Sequence, residues 1–454
     1  MTALLIDFGS TFTKVTAVDV ESAAIVGSAA AHTTVETDVG EGLECALREL
    51  TRQTGLKSFP TRLACSSAAG GLRMVVSGLV PSLTAEAARM ACLGAGAKVI
   101  KTYAYQLTEE DIAEIALTAP DIFLLGGGTD GGNRESILHN AALLASCPGE
   151  FPILLAGNRN AAAECEKLLA GREVYRCENI MPALGKLNVE PAQRQIREVF
   201  LRRIVHAKGL SREQGLLGGI LLPTPAAVLQ AIELLAKGTK ALPGLGELIA
   251  VDLGGATTDV YSMASGSPGG NIILKGLPEP WAKRTVEGDI GMRYSAAGVI
   301  AAAGAERIAQ ISGLNEADIP PLIERIEQDP AALPDTPQQA ALDFALAAAA
   351  VEIAVQRHAG TIEEVYTPTG PAWVQTGKDL TGVGTLIATG GALVHSRQAA
   401  DIAAYARHSP SAPQSLRPKS ATVLIDRLYI LSAMGLLASG HPDTALNIMK
   451  KELK

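Results

Sequence analysis

Two short stretches, LIDFGSTFTKV (residues 5–15) and AVDLGGATTDV (residues 250–260), set the same residue types at the same spacing. Aligned, they share Asp7/Asp252, Gly9/Gly254, Thr13/Thr258 and Val15/Val260. Each reads as an aliphatic strand ending in a carboxylate, a glycine-bearing turn, and a returning strand. Glycine admits the positive φ that such a hairpin turn requires. Small residues also let backbone N–H groups approach a phosphate and form an anion-binding concavity. Ser10, Thr11 and Thr13 in the first copy, and Gly255, Thr257 and Thr258 in the second, add hydroxyl donors and open backbone. At strand ends, Asp7 and Asp252 are placed to hold the inner waters of a Mg2+ ion, which keeps most of its hydration shell. An aspartate can equally accept N–H bonds within its own turn. Duplication favours the ligand reading, as does a third glycine turn, ATGGAL (residues 388–393), at an expected strand-to-helix junction. There Thr389, Gly390 and Gly391 would present N–H groups at a helix N-terminus.

The elements that must position these residues follow from hydrophobic period. Residues 2–66 read as three strands, a helix (VGEGLECALRELTRQTG) and a fourth strand (TRLACSS). From about 70 to 180 the pattern becomes four helix–strand units, ending in AKVIKTYAY, DIFLLGGG, FPILLAG and EVYRCENI, which predicts a largely parallel sheet. Residues 188–245 read as mainly helical, a strand restarts at Glu247, and residues 288–365 read as Ala-rich helices. VLIDRLYILSAMGLLASG, near the C-terminus, reads as a helix ending at Gly440. The expected organisation is residues 1–68 as the first half of one domain and 69–185 as an inserted α/β domain. A helical connector follows at 186–245, then a second domain at 246–454 with a helical insert at about 294–365.

Composition narrows the function classes. The chain has 454 residues, 47% hydrophobic and only 4% aromatic, so its cores are aliphatic, as in α/β layers. A net charge of −8 without Lys/Arg runs argues against nucleic-acid binding. No secretory leader is read at the N-terminus, and no apolar stretch is expected to reach the roughly 18 residues that span a bilayer. The six cysteines show no C-x-x-C spacing and are expected as reduced, mostly buried thiols of a cytoplasmic protein without a zinc or iron–sulfur site.

Two phosphate-type hairpins and a distal TGG turn resemble the actin, sugar kinase and Hsp70 superfamily. The resemblance implies duplicated ribonuclease H-like ATPase domains, here with an inserted Rossmann-like domain, and ATP with Mg2+ as cofactors. Carried over, the first phosphate motif is Asp7, Gly9, Ser10, Thr11, Thr13 and Lys14; the second is Asp252, Gly254, Gly255, Thr257 and Thr258. Thr389, Gly390 and Gly391 would support adenosine, and VEGDIGMRYSA (residues 286–296) would bring Gly288, Asp289 and Gly291 to the cleft. Asp7 and Asp252 become the expected catalytic and metal-water residues, facing each other across that cleft. Lys14 departs from the repeat, standing where the second copy has Asp259.

Longer stretches, including GLVPSLTAEAARMACLGAGAKV, IFLLGGGTDGGNRES and LIDRLYILSAMGLLA, resemble the MutL (GlmL) family of the glutamate mutase system, which is unrelated to the mismatch-repair protein of that name. That resemblance implies an ATPase that reactivates an adenosylcobalamin-dependent mutase by promoting release of damaged cobalamin. The mutase subunits would be its partners, it would form small homo-oligomers, and neither nucleic acid nor membrane would bind. A small-molecule kinase of the same superfamily is the alternative. The five-glycine loop LLGGGTDGGNRES (residues 124–136) lacks the G-x-G-x-x-G order and reads first as a tight crossover turn, second as an anion site. No D-x-H-x-x-G cobalt-ligand motif occurs.

Overall fold

The opening strand β1 (Thr2–Phe8) is aliphatic and buried from Ala3 to Phe8, as a central strand covered on both faces must be. It turns through Gly9 into β2 (Phe12–Asp19), and β3 (Ala24–His32) continues the antiparallel meander. Helix Val39–Thr54 packs Leu43, Ala46 and Leu50 inward and returns the chain to β4 (Thr61–Ser66), parallel to β1. The computed structural model describes residues 1–9, 11–33, 39–67, 72–207, 220–269, 272–368 and 370–454. These fall into two units, residues 1–231 with 432–445, and residues 232–431 with 446–454.

Within the first unit the chain leaves this sheet after β4 and forms a second one. Strands β5 (Arg73–Gly78), β6 (Lys98–Ala104), β7 (Ile122–Leu125), β8 (Ile153–Leu155) and β9 (Val174–Arg176) are all parallel, in the order β6-β5-β7-β8-β9. The reading of four helix–strand units leaves out β5, which sits centrally between β6 and β7. Its RMVVSG is short and begins with a charge, so no period announces it. Helix Glu86–Gly94 connects β5 to β6, and helix Glu190–Ala207 follows β9. The chain then rejoins the first sheet as β10 (Ile220–Pro223), parallel to β4. The span read as mainly helical therefore holds the edge strand that completes the order β10-β4-β1-β2-β3.

The second unit repeats that sheet. Strands β11 (Leu248–Leu253) and β12 (Thr258–Met263) form the second hairpin. A short β13 (Ile272–Lys275) follows, and β14 (Ala282–Glu287) pairs antiparallel with β12. After the helices, β15 (Thr361–Thr367) and β16 (Gly370–Thr376) join β13 in a small three-stranded sheet of mainly half-buried and exposed residues that the sequence reading does not include. Strands β17 (Thr385–Thr389) and β18 (Thr422–Ile425) then extend β11 in parallel, giving β14-β12-β11-β17-β18. Read from the hairpin outward, both five-stranded sheets have two antiparallel neighbours on one side and two parallel neighbours on the other. The α/β fold is thus duplicated, with a parallel α/β insertion in the first copy.

Two expectations are corrected. VLIDRLYILSAMGLLASG is not one helix: its first residues lie in β18, and the helix covers Leu431–Ala438. Val423, Leu424 and Ile425 belong to a parallel edge, and Asp426 then turns the chain. Helix Pro337–His358 is, by length and composition, apolar enough to cross a membrane, contrary to the expectation that no stretch is. In this unit it is the central core helix instead, with Leu342, Ala345, Leu346, Val351, Ala354 and Val355 buried against the sheet and flanking helices. All six cysteines are free, and four are buried, as expected.

Candidate functional site

In the first unit, β1 delivers Asp7 to the end of the sheet, directly opposite Lys14 of β2 and beside Cys65 of β4. Asp7 is 5% exposed. Its Oδ1 accepts from the Thr224 hydroxyl at 2.7 Å and from the Cys65 thiol at 3.5 Å; its Oδ2 accepts from the Ser432 hydroxyl at 2.9 Å. Burial, and then the nearby Asp7 charge, push the Cys65 thiol well above its ordinary range, so it stays a protonated donor. These three donors satisfy the hydrogen-bonding capacity that burial would otherwise leave unmet. The turn is closed by Gly9 N–H donating to Phe12 O at 3.1 Å. Thr13 is fully buried, and its hydroxyl lies 3.1 Å from that of Thr33. Thr11 stays half-exposed at the tip, its carbonyl taking the Thr33 N–H at 2.8 Å. Ser10 lies outside the described residues.

The second unit builds the same hairpin with different polar partners. Gly254 N–H donates to Thr257 O at 3.0 Å, at the positions aligned with Gly9 and Phe12. Asp252 pairs across the hairpin with Asp259, which occupies the place of Lys14. Arg284 of β14 resolves this carboxylate pair: its Nη2 lies 2.6 Å and its Nε 2.8 Å from Asp259 Oδ1, with both side chains buried. Burial alone would lower the Arg284 guanidinium, but Asp259 and then Tyr261 hold it above its ordinary value.

The residues after β14 fold over the tip of this hairpin. The Gly254 carbonyl accepts from Met292 N–H, and the Gly255 carbonyl accepts from Arg293 and Tyr294 N–H at 2.8 and 2.9 Å. Thr258, fully buried, donates its hydroxyl to Ile290 O at 2.9 Å. Gly291 approaches so closely that a Cβ there would stand 2.7 Å from Ala256 O. Gly288, exposed Asp289 and Gly291 thus lie at the second hairpin, where the resemblance puts them. Thr257 remains half-exposed at the tip.

The TGG turn belongs to the same cluster. Thr389 ends β17 opposite Asp252, and its hydroxyl donates to Asp426 Oδ2 at 3.0 Å. Gly390 has φ +94°, and a Cβ there would meet the Leu253 backbone and stand 2.7 Å from Asp252 Oδ1. Only glycine allows both that conformation and that approach. Gly391 opens a helix of four residues, Gly391–Val394. Asp426, missed in the sequence, fixes this corner: its carboxylate also accepts from Ile430 and Leu431 N–H at 2.9 and 3.3 Å. The signal was present as a third aliphatic run ending in aspartate, VLID, read as helix. The structure therefore gathers Asp252, Gly254, Gly255, Thr257, Thr258, Gly288, Asp289, Gly291, Thr389, Gly390 and Gly391 in the second unit. In the first it gathers Asp7, Gly9, Thr11, Thr13 and Lys14.

The chain matches the MutL protein family over residues 3–453. It belongs to that family. A relative, the protein MutL of Clostridium tetanomorphum, is 47% identical over 455 residues, covering 99% of this chain and 98% of its own. Among solved structures, the activator of the 2-hydroxyisocaproyl-CoA dehydratase from Clostridium difficile with bound ADPNP aligns over 99% of this chain and 98% of its own, at 10% identity and a TM-score of 0.33. Xylulose kinase from Bifidobacterium adolescentis aligns over 100% and 94%, at 13% identity and a TM-score of 0.32. At such scores the superpositions argue nothing; the duplication rests on this MutL-family chain's own strand pairing.

Proposed function

We propose that this MutL-family protein binds and hydrolyses ATP with Mg2+. We further propose that it uses the cycle to reactivate an adenosylcobalamin-dependent mutase of the glutamate mutase type, by promoting release of damaged cobalamin. The observation that carries the nucleotide reading is the repeated hairpin. Each sheet ends in an aspartate followed by a tight turn closed by the same backbone bond, with hydroxyl-bearing residues half-exposed at the tip. The client is inferred from membership of the family.

The donor set fits Mg2+ held through water and phosphate. Among the described residues no group of three or more His, Cys, Asp or Glu forms a protein-only metal cage. Mg2+ typically takes one or two carboxylates plus substrate phosphates and keeps several waters. Asp7 and Asp252 would hold such waters, and the ion would supply charge neutralisation at the phosphates. The chain's own groups do the rest. Hairpin N–H groups bind and orient phosphate oxygens, and the carboxylates orient an attacking water and accept its proton. Gly390 keeps the backbone at Asp252 open enough for that carboxylate to be reached.

Mg2+-dependent ADP release by the purified protein, alone and with a cobalamin mutase, tests the reading. Hydrolysis that rises with inactivated mutase, together with restored mutase turnover, is the expected result. ADP formation that depends instead on a sugar or organic acid would move the assignment to a small-molecule kinase. Absence of any turnover ends both.

A further inference from the structure

The inserted parallel sheet carries a feature that the nucleotide reading does not use. At the carboxyl ends of β7, β8 and β9 the chain opens a cleft of about 920 Å3, closed on its far side by helix Glu190–Ala207. Ligands of open parallel sheets bind outside the carboxyl ends of the strands, and pockets for small molecules run to about 300–1,000 Å3. Three successive loops supply the walls: residues 126–134 after β7, 156–161 after β8 and 177–189 after β9.

Those loops are pre-set by two buried asparagines. Asn158 Nδ2 donates to the carbonyls of Gly132 and Asn133 at 3.2 and 3.0 Å, and its Oδ1 accepts from Gly131 and Asn160 N–H. Asn179 Nδ2 donates to Gly128 O and to Asp130 Oδ1 at 3.0 and 2.9 Å. The five-glycine loop is therefore a crossover turn with its polar groups used internally, the first of the two sequence readings. Its contribution to the cleft is a rigid wall.

The charges lining that wall are unequally committed. Four cations face the cleft: Arg159, Arg176, Lys186 and Arg194. Three carboxylates also line it, and each already accepts hydrogen bonds. Asp130 takes them from Asn179 and from Arg159 N–H, Glu178 from Asn188 at 3.1 Å, and Glu198 from Gln195 at 3.4 Å. Arg159 stands 3.6 Å from Asp130, and Arg176 3.7 Å from Glu166 outside the cleft. Among the described residues, the side chains of Lys186 and Arg194 have neither ion-pair nor hydrogen-bond partner. The groups left to a ligand are thus cationic, with Lys186 on the loop after β9 and Arg194 on the helix opposite the strand ends.

We propose that this cleft is a second binding site, for a phosphate-bearing small molecule of nucleotide size, held chiefly by Lys186 and Arg194 with Arg159 and Arg176 at its rim. Guanidinium groups match phosphate oxygens in a fork, and lysine adds a mobile point charge. The site stands apart in sequence from both hairpins and the TGG turn, so it does not depend on the nucleotide reading.

Pyrophosphate binding to the full-length protein at low salt, followed by calorimetry, tests it. Three proteins are compared: the unaltered chain, the double variant Lys186→Glu/Arg194→Glu, and Asp252→Ala. Expected is binding by the unaltered chain and by Asp252→Ala, with affinity at least tenfold weaker in the double variant, whose melting temperature stays within about two degrees because both side chains are exposed. The more conservative Lys186→Gln/Arg194→Gln should show an intermediate loss. No binding by the unaltered chain overturns the proposal. So does equal binding by the double variant, or binding that vanishes in Asp252→Ala, which would assign pyrophosphate to the hairpins.

Discussion

The Asp7 carboxylate accepts from the hydroxyls of Thr224 and Ser432 and from the thiol of Cys65. Hydrogen bonds to a charged acceptor are worth about 1.5–3 kcal/mol each, so Ser432→Ala should lower stability by about that amount in urea unfolding while weakening hydrolysis. Asp7→Asn should remove hydrolysis and leave the fold intact, because an amide can still accept through its oxygen; retained turnover would take Asp7 out of the mechanism. Cys65 itself should be inert. Its thiol is buried and pushed up, whereas Cys45 is exposed. Iodoacetamide labelling of the native protein, read by mass spectrometry, should mark Cys45 and spare Cys65 and Cys92; rapid labelling of Cys65 would contradict its buried setting. The two hairpin carboxylates, Asp7 and Asp252, were legible in the sequence. The donors around Asp7 were not, because Thr224 and Ser432 lie 217 and 425 residues away and nothing local marks them.

The hairpins show how one element can be used twice with different electrostatics. In the first, Lys14 faces Asp7; in the second, Asp259 faces Asp252 and Arg284 on the next strand compensates. Removing one partner of a buried ion pair strands the other charge and costs about 3–5 kcal/mol. Arg284→Leu should therefore destabilise the second unit by that amount. The pair Asp259→Leu/Arg284→Leu should recover much of the loss, read from a double-mutant cycle in denaturant. Simple additivity would show that the two side chains do not act as a pair. Period and turn chemistry made both hairpins, β3 and most helices of the inserted sheet legible. They failed at β5, β10 and β18, each a strand of four to six residues whose role depends on distant neighbours. They also failed at His358, buried on the core helix with its ring nitrogens 2.8 Å from the hydroxyls of Thr285 and Ser262.

At the scale of the whole molecule, stability should depend on pH through one side chain that the proposed chemistry does not use. Lys378 is fully buried, and its amine donates to the carbonyls of Pro280 and Trp281 at 2.8 and 2.7 Å. Burial, then the charge of Lys283, lower it to about 7 from an ordinary 10.5. Between those values the unfolded chain binds more protons than the folded one, so stability rises with pH across that window and the gain is lost as pH falls through 7. Thermal unfolding followed from pH 7 to 10 should show this rise, and Lys378→Met should flatten it. An equal slope in the variant would assign the dependence to other groups.

The Ser432 hydroxyl on Asp7 has a consequence in time. A ribosome makes Ser432 425 residues after Asp7. The first hairpin is made long before it, so its aspartate lacks one of its donors until Ser432 is added. Chains that stop short of Ser432 would then carry an Asp7 carboxylate with one hydrogen-bond donor fewer.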